Sequence, residues 1–220
     1  MNKNVSYEKF VVLLLILGLA AGCATKKVAK KRPAVKPLKY EVLDTRAEAK
    51  DAVKSRNQTQ LPVVLEQDEK QIVDLLTRYS KEAFLKPKTL AQGKASRLEP
   101  FFVSELRERA AEDWENLSLG EEAAVIQRVS RSTGKVTRLW VFYDEGPTPT
   151  LSAVDLSLRA DYELSDGGKA KLTISGSFAL EPDQGDDWKI SGYRAKFDLR
   201  STEKDRAWNV AAGKFLSSSY

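Results

Sequence analysis

The chain holds one thiol, Cys23, among 220 residues, and it has no histidine. Without imidazole it lacks the side chain that most often serves as general base or divalent-metal ligand. A lone cysteine forms no internal disulfide and builds no Cys/His zinc cage. No segment matches a phosphate loop or a dinucleotide fingerprint, both of which need glycines at fixed spacing ahead of a helix. What remains is carboxylate or phenol chemistry, with Tyr79 and Tyr162 as the phenols to weigh. Asp183, Asp186 and Asp187 surround Gly185, but their spacing lacks the alternating oxygens and closing bidentate acid of a calcium loop. They read as a polar turn, so neither a metal nor a cofactor is expected.

The surroundings of Cys23 give its thiol a use. Lys3 and Lys9 precede an apolar run from Phe10 to Gly22, and small residues lead up to the cysteine. These are the three parts of a secretory signal. The run is shorter than the roughly 18 residues a helix needs to span a bilayer. Ala20-Ala21-Gly22-Cys23 resembles the bacterial lipobox, with the usual leucine displaced to Leu19. The resemblance implies a diacylglyceryl thioether on Cys23, cleavage before it, and acylation of the freed amine by palmitate or a similar chain. It also implies a cell-envelope location. By the same analogy, Ala24 in place of an acid favours the outer membrane facing the periplasm if the cell has two membranes, and otherwise the outer face of the cell membrane. Lys26, Lys27, Lys30, Lys31 and Arg32 lie just beyond, and around a spanning helix such charges would stay cytoplasmic. A cleaved segment is not bound by that rule.

Charge divides the rest of the chain. Residues 24–65 carry 11 basic and 4 acidic side chains, whereas residues 66–220 carry 23 and 26. The basic character therefore belongs to a tether, 23–65, and the slightly acidic remainder is not expected to bind nucleic acid. A flexible tether of this length spans roughly 35 Å. Its lysines are candidates for contact with anionic headgroups, with a soluble spacer or adhesion to acidic wall polymers as alternatives. Over 41–56 the composition favours a frayed helix.

Periodicity supplies the elements. Ile72, Leu75, Leu76, Tyr79 and Ala83 place an amphipathic helix over 67–85, ended by Pro87 and followed by a loop through Gly93. Leu98, Phe101, Phe102, Leu106 and Ala110 place a second, shorter helix with Pro100 in its first turn. A hairpin is expected from 123–130 and 135–143 around Ser132-Thr133-Gly134, and a second from 154–164 and 170–180 around Gly167-Gly168. A last strand, 188–199, switches its inward set between Ile190 and Tyr193, which calls for a bulge near Gly192. The fold class is α+β: two helices on a curved antiparallel sheet of about five strands over 66–200, then a tail, 201–220, with a candidate short helix.

The element order, the start Leu98-Glu99-Pro100-Phe101-Phe102 and the ending Asp187-Trp188-Lys189-Ile190-Ser191-Gly192-Tyr193 resemble the cone-shaped, cystatin-like and nuclear-transport-factor-two-like domains. They also resemble the extracytoplasmic domains of mammalian-cell-entry-associated proteins. The resemblance implies an interior lined by Tyr79, Phe102, Trp140, Tyr162, Phe178 and Trp188, as pocket or as core. The expected function is a non-catalytic binding or scaffold module for an envelope protein assembly or a small apolar ligand. The alternative is a carboxylate- or tyrosine-dependent enzyme, which needs an ionisable group facing an enclosed cavity.

Overall fold

The computed structural model describes residues 38–49, 64–93, 95–143, 148–183, 187–201 and 214–217. Cys23, the run from Lys26 to Arg32 and residues 202–213 of the tail lie outside these residues. The architecture is mixed α+β, with a curved sheet and a few short helices. Four long strands make its centre: β3 (Ile126–Tyr143), β4 (Pro149–Leu164), β5 (Lys169–Pro182) and β6 (Trp188–Ser201), each antiparallel to the next. Two short strands, β1 (Tyr40–Val42) and β2 (Thr45–Ala49), run parallel to β3 on its outer edge. A last strand, β7 (Lys214–Ser217), pairs antiparallel with β6. Because β1 and β2 share one edge, the seven strands occupy six places.

The first helix, α1 (Glu66–Ser80), has Glu66, Asp68 and Glu69 in its first turn and Arg78 in its last, the charge order that the helix dipole favours. It continues as a π-helical turn, Lys81–Leu85, whose wider winding buries Ala83 and Phe84. Pro87 does not open a loop as expected. It begins α2 (Pro87–Gly93), in the first-turn position where a missing N–H costs nothing, while Lys86 takes the non-helical backbone that a following proline imposes.

The expected second helix is broken. Glu99–Phe101 and Ser104–Leu106 are 3₁₀ turns, and regular winding starts only at α3 (Arg107–Glu112), followed by α4 (Trp114–Leu117). The break has a cause: Phe102 is extended, bridges Ile190 of β6, and is followed by a Val103 N–H bond to the Ile190 carbonyl at 3.0 Å. That bridge turns Phe102 into the core.

Two strand expectations held. Gly167 has φ +91° in the β4–β5 hairpin, and Asp166 Oδ1 accepts the Gly168 N–H at 3.0 Å. In β6, Ala179 faces Gly192 while Leu180 faces Ile190, so Ser191 is the extra residue of the bulge. Three others did not. No hairpin forms at Gly134; β3 passes through it as one 18-residue strand. The glycine is needed for close approach instead, since a Cβ there would lie 2.7 Å from the Tyr40 ring. Tyr40–Val42 and Thr45–Ala49 are strands rather than tether or frayed helix, because Tyr40 and Ala47 are buried and pairing with β3 outweighs local propensity. Phe215 and Leu216 lie in β7 rather than a helix, paired with Lys196 and Ala195.

Candidate functional site

The inward residues of the sheet and the buried faces of the helices form one continuous apolar cluster. Tyr79 of α1 stands at its centre, edge-on to Phe84, Phe101, Phe102 and Phe178 with ring centroids 5.7 to 6.2 Å apart. Tyr79 is 2% exposed, Phe102 0%, Tyr162 1% and Phe178 2%. The place where an enclosed pocket was weighed is therefore occupied by side chains.

Each buried phenol donates to a specific acceptor. Tyr79 bonds the Leu117 carbonyl at 2.6 Å and Tyr162 the Phe84 carbonyl at 3.1 Å. Both acceptors sit at helix C-terminal ends, where carbonyls lack intrahelical partners. Tyr193 donates to Asp113 at 2.7 Å and Tyr143 to Asp68 at 2.8 Å, while Tyr40 and the Ser80 hydroxyl bond each other. Four of these phenols tie sheet to helices, and Tyr79 ties α1 to α4. Burial pushes the Tyr79 phenol well above its ordinary range, with Tyr40 and Tyr193 adding to the effect, and burial alone raises Tyr162. Tyr40 is pushed up to about 12 by burial, partly offset by the Ser80 bond. Tyr143 also reaches about 12, through burial first and its bond to Asp68 second. Such phenols stay neutral at physiological pH, the reverse of what a catalytic base needs.

Trp188 is buried at the rim, beside a groove of about 420 Å³. Gln71, Asp74, Thr77 and Arg78 of α1 line the other side, with Asp187 at the mouth. Sequence reasoning missed this groove; Asp74 and Arg78, four apart on the polar face of α1, are a signal that could have pointed to it. Trp140 is the exception among the six interior candidates: it lies half-exposed on the opposite, outer face of the sheet. There Arg46 and Arg138 place their guanidinium carbons 5.5 and 5.6 Å from its ring centroid, and Phe142 lies edge-on at 6.4 Å. Its indole N–H is covered and has no hydrogen-bond partner among the described residues.

No protein-family model and no curated protein matches the chain. Among solved structures, one of a hexachlorocyclohexane dehydrochlorinase (LinA) Type2 is similar at 11% identity, over 70% of this chain and 92% of that chain, with a TM-score of 0.34. A likeness of that size carries no weight for function.

Asp155 and Glu163 of β4 also sit on the outer face. Asp155 pairs with Arg138 at 3.1 Å and accepts the Ser177 hydroxyl at 2.5 Å, and Glu163 pairs with Arg128. Among the described residues there is no group of three or more potential metal ligands, and no helix is long and apolar enough to cross a membrane.

Proposed function

We propose that the chain is an envelope lipoprotein, held by a lipid on Cys23, whose α+β domain is a non-catalytic scaffold for an envelope protein assembly. In this reading residues 1–22 are the signal peptide, and the domain is a cone of the nuclear-transport-factor-two-like kind. The observation that carries it is the filled interior. Tyr79, Phe102, Tyr162 and Phe178 occupy the centre, and the tyrosine hydroxyls there are committed to backbone carbonyls. An enzyme of the kind weighed above requires an ionisable group facing an enclosed cavity, and buried phenols held neutral supply no base. The same packing favours a protein partner over a small apolar ligand, which would need that space.

Purification of the tagged full chain from detergent-solubilised membranes tests this. One envelope protein in stoichiometric amount, with no small molecule in the native mass spectrum, is the expected result. A chain that purifies alone, or with an extractable apolar molecule, contradicts the scaffold reading.

A further inference from the structure

Residues 66–220 are slightly acidic as a whole, yet their charge is sorted by layer. The helical segment 66–125 carries 13 carboxylates and 9 cations. The four long strands reverse the sign: β3 has four cations and no carboxylate, β4 one and three, β5 two and one, β6 four and one. These side chains alternate outward with the buried set, so the outer side of the four strands has eleven cations against five carboxylates, with Arg46 of β2 and Glu41 of β1 added at the edge and Lys189 donating to the Pro100 carbonyl. The remaining eight carboxylates of residues 66–220 lie outside these segments.

The register concentrates this excess. One row across the sheet reads Lys135, Ser157, Ser175, Lys196, with cations and hydroxyls only. Two residues along each strand past the next row stand Arg131, Asp161, Lys171 and Arg200. Several outer cations have carboxylate partners, among them Arg128 with Glu163, Lys135 with Glu41, Arg138 with Asp155 and Arg200 with Asp198. Arg131, Arg159, Lys171 and Lys196 are exposed and make no ion pair among the described residues. At one end of the face Trp140 and Phe142 are half-exposed, with Leu151 directly opposite Phe142. Cations spread over a broad face, donor hydroxyls between them and aromatic rings at one end match a surface of anionic headgroups.

We infer that the outer face of β3–β6 docks on an anionic phospholipid surface, turning the acidic helical layer away from it. The inference rests on the lipid-anchored reading for proximity to a membrane, but the face itself is independent of the anchor. Full chain purified from membranes is mixed with phosphatidylcholine vesicles or with vesicles that also contain phosphatidylglycerol, and lysine acylation is quantified by mass spectrometry. Labelling of Lys171 and Lys196 is expected to fall about fivefold on the anionic vesicles and to recover in high salt, with Lys70 and Lys88 of the helical layer unchanged. The double variant Arg131→Glu, Arg159→Glu, with an unchanged melting curve, is expected to lose the difference. Equal labelling on both vesicles overturns the inference, as does protection that appears only with an added acidic protein or nucleic acid. Flotation separates the two claims. A chain that floats on both vesicles without protection contradicts the face alone; one that floats only on anionic vesicles contradicts the anchor, and supports the face if Lys171 and Lys196 are protected there but contradicts it if they are not; one that floats on neither contradicts both.

Discussion

Gly134→Ala tests how β1 joins the sheet. The new Cβ would stand 2.7 Å from both Cδ1 and Cε1 of Tyr40, well inside contact distance. The ring has little room to yield, since Tyr40 is buried, its hydroxyl is held by Ser80 of α1, and its backbone pairs with Gly134 itself. Overpacking of this kind costs about 1–3 kcal/mol. Against a domain of this size that is roughly 4–8 °C in melting temperature for the middle of the range. Removing the ring removes the clash, so the cost depends on Tyr40. Tyr40→Ala alone should be destabilising by about 3–5 kcal/mol through the lost buried ring. Adding Gly134→Ala to it should cost almost nothing more, leaving a coupling of about 1–3 kcal/mol. Urea and thermal melts of the two single variants and the double measure it. If the two substitutions add without coupling, Tyr40 does not lie against Gly134, and the parallel pairing of β1 with β3 is wrong.

Other perturbations follow from the same packing. Gly176→Ala should be more damaging than most surface changes, by about 3 kcal/mol, because its Cβ would meet Ala195 Cα at 2.7 Å and the Arg194 carbonyl at 2.7 Å on a paired strand; urea midpoints check it. Tyr79→Phe should keep the fold but cost about 1–2 kcal/mol by orphaning the Leu117 carbonyl, with the secondary-structure signal by circular dichroism unchanged. Stability should fall in base: the folded chain holds the Tyr40 proton to about 12 against 10.0 for a free phenol, so that contribution is full below pH 10.0 and disappears as pH rises through about 12. The two-unit difference amounts to about 3 kcal/mol. Urea melts across that range, with phenolate absorbance followed alongside, should show unfolding and ionisation together; a stability that is flat through it contradicts the assignment.

What was legible in the sequence was local. The β4–β5 hairpin announced itself by alternation on both sides of Gly167-Gly168, and the β6 bulge by the shift of the apolar set between Ile190 and Tyr193. Tyr79, Phe102, Tyr162, Phe178 and Trp188 are buried, so periodicity identified most of the interior. What escaped depended on distant partners. Gly134 sits in turn-forming company, yet it serves a contact with a residue far away in the chain. Ala47, Glu48 and Ala49 favour helix, but the free edge of β3 draws them into a strand. Trp140 alternates as its neighbours do, and only the register shows which face it occupies. Charge pooled over the whole domain concealed a basic sheet face and an acidic helical layer, because sequence order does not separate them.

The lipid anchor remains the claim on which location, proximity to a membrane and partner all depend. Labelled palmitate fed to cells making the wild-type chain or Cys23→Ala tests it directly: label on the first and none on the second is the expected result, whereas equal label, or none on the wild type, contradicts it.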